Sequence, residues 1–147
     1  SRDWGMDAGN GALGKDGTVY GRKVDRPIVQ LQYLPRATLF RLIRSARTVL
    51  FPSLCEGFGL PALEAIQLGT PVISSNVSSL PEVVGDAGLL VNPYSTAEIA
   101  GAIKALDADD TLLERLQTAG PAQAARFTDA AWMERLRGLY AAMGLAG

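Results

Sequence analysis

The chain has 147 residues, no histidine and a single cysteine. Without imidazole, a Cys–His or Ser–His nucleophilic pair is excluded. One thiol also excludes an internal disulfide. The shortage argues against a zinc site, whose ligands are chiefly His and Cys, and no metal is expected. Cys55 is therefore read as a packed thiol, in keeping with a reducing compartment. No apolar run is long enough to span a bilayer. Ser1-Arg2-Asp3-Trp4 lacks the apolar region of a signal peptide. With a net charge of −1, nothing calls for nucleic acid.

The charge that is present is unevenly spread. Residues 1–50 hold nine Lys/Arg against four Asp/Glu, and residues 51–147 hold five against eleven. A basic front half could meet a membrane surface or an anionic acceptor, although a solvated surface is the commoner meaning. By length the chain is one domain with room for a real core.

The densest pattern runs from Pro52 to Pro71. Thr48-Val49-Leu50-Phe51 is a short apolar run and reads as a buried strand. Pro52 ends it, since proline cannot donate to a ladder. Gly57 and Gly59 permit backbone angles closed to other residues and close approach of a ligand. Pro61 fits the first position of a helix over Pro61–Leu68, and Gly69 falls where a left-handed cap belongs. Amides near Phe58, Gly59 and Leu60 would then lie at the positive end of a helix, which favours anions and phosphates. Glu64, near the first turn, would repel phosphate but would accept hydrogen bonds from hydroxyls, as an acidic residue does for ribose in dinucleotide folds. Phosphate and hydroxyls together suggest a sugar nucleotide.

Residues 1–27 are rich in Gly and Asp and read as irregular. From residue 28 to 147, strands alternate with helices. Ile28–Tyr33 is a strand, Ala37–Ala46 a helix with Arg36, Arg41, Arg44 and Arg47 around it, and Pro71–Ser75 and Leu89–Val91 are further strands. Ser95 to Glu98 has the spacing of a capping box. A helix from Asp110 or Thr111 is expected to break at Gly120-Pro121. Thr128 caps a last helix whose Trp132, Leu136, Leu139, Tyr140 and Met143 form one stripe. Such alternation means an α/β fold, a parallel sheet flanked by helices. Ligands bind at the carboxyl ends of its strands, where Glu56 and the loop after Ser74 both fall.

Glu56-Gly57-Phe58-Gly59-Leu60-Pro61, Glu64-Ala65, Gly69-Thr70-Pro71-Val72-Ile73 and Ser79-Leu80-Pro81-Glu82-Val83-Val84-Gly85-Asp86-Ala87-Gly88 follow one another in order. Together they resemble the Glu-x7-Glu signature of retaining glycosyltransferases of family 4 with the GT-B fold, over roughly residues 28–140. The resemblance implies a Rossmann-like sheet, the C-terminal, nucleotide-sugar-binding half of a two-domain enzyme. The N-terminal acceptor domain is then missing, residues 1–27 belong to a truncated domain, and the isolated chain would be inactive. Glu64 would hold the donor ribose, and Glu56, the candidate catalytic residue, would lie near the donor sugar. Gly57, Phe58, Gly59 and Leu60 would line the donor site with their amides. No cofactor is implied beyond the nucleotide-diphosphate sugar itself. The family's basic Arg/Lys pair, which clamps the diphosphate, has no clear match in this sequence; Arg22 and Lys23 would be its only stand-ins. The implied reaction moves a sugar to an acceptor hydroxyl, in polysaccharide or glycolipid synthesis. The expected location is the cytoplasm or the inner membrane surface, and self-association would hide apolar surface left by the missing half. The alternatives are a sugar-nucleotide epimerase, a non-catalytic sugar-nucleotide-binding module and a purely structural domain.

Overall fold

A computed structural model describes residues 6–7, 11–12, 21–23 and 29–144. The chain divides into two compact units, residues 1–41 and 42–147. The first holds β1 (Met6–Asp7), β2 (Gly11–Ala12), β3 (Gly21–Lys23) and β4 (Val29–Leu31). β1 pairs antiparallel with β2, and β3 with β4. The stretch read as irregular thus contains short strands, and the strand near residue 30 belongs to an antiparallel ladder rather than a parallel one. Arg22 and Lys23 lie on β3; their side chains fall outside the described residues. The boundary between the units falls inside α1 (Arg36–Ser45).

The second unit is built on β5 (Val49–Phe51), β6 (Val72–Ser75) and β7 (Gly88–Val91), a parallel sheet in the order β5-β6-β7. The register pairs Val49 with Val72 and Val72 with Gly88. All four residues of the central strand are buried, as expected of a parallel sheet covered on both faces. On one face, α2 (Leu60–Gln67) and α3 (Leu80–Val84) pack Ala62, Leu63, Ile66, Leu80 and Val83 around Val72, with Val49 and Phe51 beside them. On the other, Leu106 of α4 (Thr96–Ala108) and Leu116 of α5 (Asp110–Ala125) close over Ile73 and Val91. The helices required by the alternating pattern therefore flank the sheet, and the fold is α/β and Rossmann-like.

Local chemistry explains the helix ends. Gly69, at φ +83°, terminates α2. Its amide donates to Ile66 O at 3.0 Å and that of Thr70 to Ala65 O at 2.9 Å, the paired bonds of a Schellman cap. Helix α2 begins one residue earlier than expected, because Gly59 takes the capping position and Pro61 sits second. At α4, Ser95 Oγ accepts from the Glu98 amide at 3.2 Å, but the Glu98 carboxylate accepts from Asn92 N rather than Ser95 N. Only half of the expected capping box forms, because the Ser95 amide already donates to Asn92 O.

Helix α5 runs through Gly120-Pro121 instead of breaking there. Proline removes one helical bond, but the residues beyond it are held by packing. Gly120 lies close against Ile66. Buried Gln123 donates to Glu82 O at 2.6 Å and Val83 O at 2.9 Å, which satisfies the end of α3. Thr128 caps α6 (Asp129–Ala142) as expected, accepting from Ala131 N at 3.2 Å. No residue of α6 is buried. No described helix is long and apolar enough to cross a membrane.

Candidate functional site

Strands β5 and β6 run side by side, Phe51 beside Ser74, so the loops that leave their carboxyl ends start as neighbours. Hydroxyls then stitch the two segments together. Buried Ser74 Oγ donates to Phe51 O at 3.2 Å, and Ser75 Oγ to Ser53 O at 2.5 Å, just where Pro52 has ended the ladder. Ser79 Oγ donates to Phe58 O at 2.9 Å and shares the same proton, over a longer 3.3 Å, with Glu56 O. Loop 52–59 is thereby laid along loop 76–79. Gly59, at φ +95°, lets the chain turn into α2. An added Cβ there would lie 2.6 Å from Leu80 Cδ2, so space as well as angle favours glycine.

The expected site residues fall as follows. Glu56 is half-buried in the loop. Gly57 is exposed and not in the left-handed region, and nothing lies within 4 Å of where its Cβ would be. Its freedom is thus open approach rather than a forced angle, unlike that of Gly59. The Phe58 ring packs edge-to-face on Phe127, centroids 5.5 Å apart, so what Phe58 can offer a ligand is chiefly its amide. Leu60 is exposed at the head of α2. Glu64 opens the second turn rather than the first. At about 100° per residue it shares a face with Leu60, away from buried Ala62 and Ile66. Glu64 is half-buried and engaged in an interaction of its own.

The anion-binding feature is narrower than a whole helix end. The Ala62 and Leu63 amides both donate to Gly59 O, at 3.0 and 3.2 Å, and Pro61 has no amide hydrogen. What remains are the amides of Gly57, Phe58, Gly59 and Leu60, which have no hydrogen-bond partner among the described residues. Cys55 is exposed. It is therefore not the packed thiol expected from sequence. Among the described residues no three acidic or thiol groups come together to hold a metal ion.

Sequence reasoning missed Ser75, Ser79 and Phe127. A serine in a polar loop gives no sign of which distant carbonyl it will reach. Phe127, next to the cap of the last helix, gave a clue only in being an aromatic off the helical stripe.

Comparison with known proteins bears on this arrangement. The profile of the family "Glycosyl transferases group 1" matches residues 23–123. The O-antigen chain mannosyltransferase B of Escherichia coli is 48% identical over 98 residues, covering 67% of this chain and 26% of that protein. The D-inositol 3-phosphate glycosyltransferase of Corynebacterium jeikeium is 38% identical over 115 residues, covering 77% of this chain and 27% of that protein. Among solved structures, sucrose-phosphate synthase from Thermosynechococcus elongatus superimposes with a TM-score of 0.60 at 34% identity, covering 72% of this chain and 27% of that one. The chain spans about a quarter of the length of each of these relatives.

Proposed function

The chain belongs to the group 1 glycosyl transferases, and from that premise we propose that it is the donor-binding half of a retaining enzyme of the family 4 type, which moves a hexose from a nucleotide-diphosphate sugar to an acceptor hydroxyl. Mannose is the first sugar to test, because a mannosyltransferase is among the similar proteins. Polysaccharide or glycolipid synthesis is the setting, in the cytoplasm or at the inner membrane surface, where the exposed Arg41 and Arg44 of α1 suit an anionic partner.

The observation that carries the reading is the stitched pair of loops at the ends of two adjacent parallel strands. It supports the reading because the Glu56 loop, with amides that have no partner among the described residues, leaves the carboxyl end of β5, where ligands of such sheets bind, and Glu64 follows one turn into α2. Each group has a role in the proposal. The Gly57–Leu60 amides hold the diphosphate and stabilise its charge as it departs, with no metal required. Glu64 accepts hydrogen bonds from the ribose hydroxyls. Glu56 orients the donor sugar as the catalytic carboxylate. The bond between the anomeric carbon and the diphosphate breaks, the diphosphate keeping the electron pair. The acceptor oxygen bonds the same carbon with retention and passes its proton to the departing diphosphate. The acceptor is supplied by an N-terminal domain beyond this chain, so the isolated chain turns over no substrate. The exposed stripe of α6 is an association surface in its absence.

Calorimetric titration with GDP, UDP and ADP, and with their mannose and glucose esters, tests the reading. One nucleotide series binds, and Glu64→Ala weakens it about ten- to a hundredfold, as expected when hydrogen bonds to a charged group are lost. Unchanged affinity in that variant removes Glu64 from the site. Absence of binding by every compound ends the donor-domain reading.

A further inference from the structure

Ser79 stands where a serine ordinarily caps its own helix. It immediately precedes α3, yet its side chain makes no bond to the amides of that helix. Its hydroxyl reaches instead to carbonyls 21 and 23 residues earlier in the chain, those of Phe58 and Glu56. The residue before it, Ser78, holds φ +56° and is the one described non-glycine residue with positive φ. Side chains seldom adopt that conformation, and here it belongs to the short turn that presents Ser79 to the loop.

Peptide planarity gives this bond a consequence. In a trans peptide the C=O and the following N–H point in opposite directions, and no cis bond occurs among the described residues. The Glu56 carbonyl shares its plane with the Gly57 N–H, and the Phe58 carbonyl shares its plane with the Gly59 N–H. Drawing both carbonyls toward Ser79 turns both amides to the opposite side of the loop. These are amides without a partner among the described residues; Gly57 is exposed with open space beside it, whereas Gly59 is a buried residue packed against Leu80. Planes flanked by glycine reorient easily when nothing holds them. Phe58, between the two glycines, is held a second time through its ring on Phe127.

Resting on the donor-site reading, we infer that Ser79 is a positioning residue: its hydroxyl proton aims the Gly57 and Gly59 amides at the diphosphate of the nucleotide sugar. It touches neither sugar nor phosphate. It acts by keeping two donors convergent before the ligand arrives, so that their alignment costs the ligand nothing on binding.

The test follows the Gly57 and Gly59 amide resonances of the nitrogen-15-labelled 147-residue chain during titration with GDP, UDP and ADP. The unaltered chain binds one of the three, and both resonances shift. Ser79→Ala, and Ser79→Cys with its similar size and poor donor, weaken that diphosphate about tenfold, the scale of one lost hydrogen bond, and abolish both shifts. Ser79→Thr, which keeps the hydroxyl, restores affinity and shifts. If the alanine and cysteine variants retain affinity and shifts, or threonine fails to restore them, the inference fails while the donor site stands. If both hydroxyl-free variants lose the fold, the role is structural and the inference fails. An unaltered chain that binds none of the three overturns the donor-site reading, and the inference with it.

Discussion

Helices α2 and α6 are both rich in apolar residues, and their fates are opposite. Helix α2 has eight residues and buries four, Ala62, Leu63, Ala65 and Ile66, against the central strand and α3. Helix α6 has fourteen residues and buries none. Trp132, Leu139 and Tyr140, whose spacing should mark a core-facing stripe, are about half exposed. Amphipathicity says that a helix has an apolar face and does not say whether the partner for that face is present. The short helix is fixed on both sides, by the sheet beneath it and by Gly120 of α5 close against Ile66. It is therefore a firm base for the loop that enters it. The long helix is tied near its start, by the Thr128 cap and by Arg135 donating to Arg126 O at 2.7 Å.

The largest effects should come from α2. Ile66 is 2% exposed, and Ile66→Ala should cost about 2–5 kcal/mol in urea denaturation, since a cavity forms among neighbours that cannot all relax. A loss below about 1 kcal/mol would mean that α2 is no better anchored than α6, and the contrast would collapse. Gly59→Ala comes next, at about 1–3 kcal/mol. The clash there is with the end of the Leu80 side chain, which can shift, so most of the cost lies in the φ of +95°. The same variant should weaken nucleotide binding, because it disturbs the turn between the loop amides and α2.

A smaller effect sharpens the difference. Thr128→Ala removes the cap of α6, a change usually worth about 1 kcal/mol. Because α6 adds no buried residue to the core, the loss should appear as faster hydrogen exchange within α6 and leave the exchange of β6 amides unchanged. Equal acceleration in β6 would show that α6 unfolds only together with the sheet.

How much of this was legible in the sequence differs along the same line. Strands β5, β6 and β7, the glycine cap at Gly69 and the Thr128 cap rest on chemistry within a few residues and appear where expected. Strand β5, read as a buried strand, nevertheless has no buried residue and leaves Leu50 44% exposed at the edge of the sheet. The continuity of α5 through Pro121 was not legible, because it depends on Gln123 finding the carbonyls of Glu82 and Val83 about forty residues away. Cys55 was misplaced for a related reason. A thiol next to an apolar strand looks buried, but Pro52 has already turned the chain out of the sheet. At the candidate site the glycine loop that enters α2 could be read from order and spacing. Its bracing could not, since Ser75 and Ser79 act through hydroxyl-to-carbonyl bonds across more than twenty residues.

The smallest effect on stability is expected at the stripe itself, and it separates two kinds of exposed apolar residue. Trp132→Ser and Tyr140→Ser remove large rings that are already 56% and 47% exposed. Neither leaves a cavity, so each should change the unfolding free energy by no more than about 0.5 kcal/mol. If the stripe is only scattered surface, sedimentation should also be unaffected, because single exposed apolar residues are common on folded proteins. If it is the contiguous association surface we propose, the unaltered chain should sediment with a concentration-dependent mass and the double variant as a monomer. Stability and association thus move independently at α6, whereas at α2 they cannot, because Ile66 has no exposed face with which to associate.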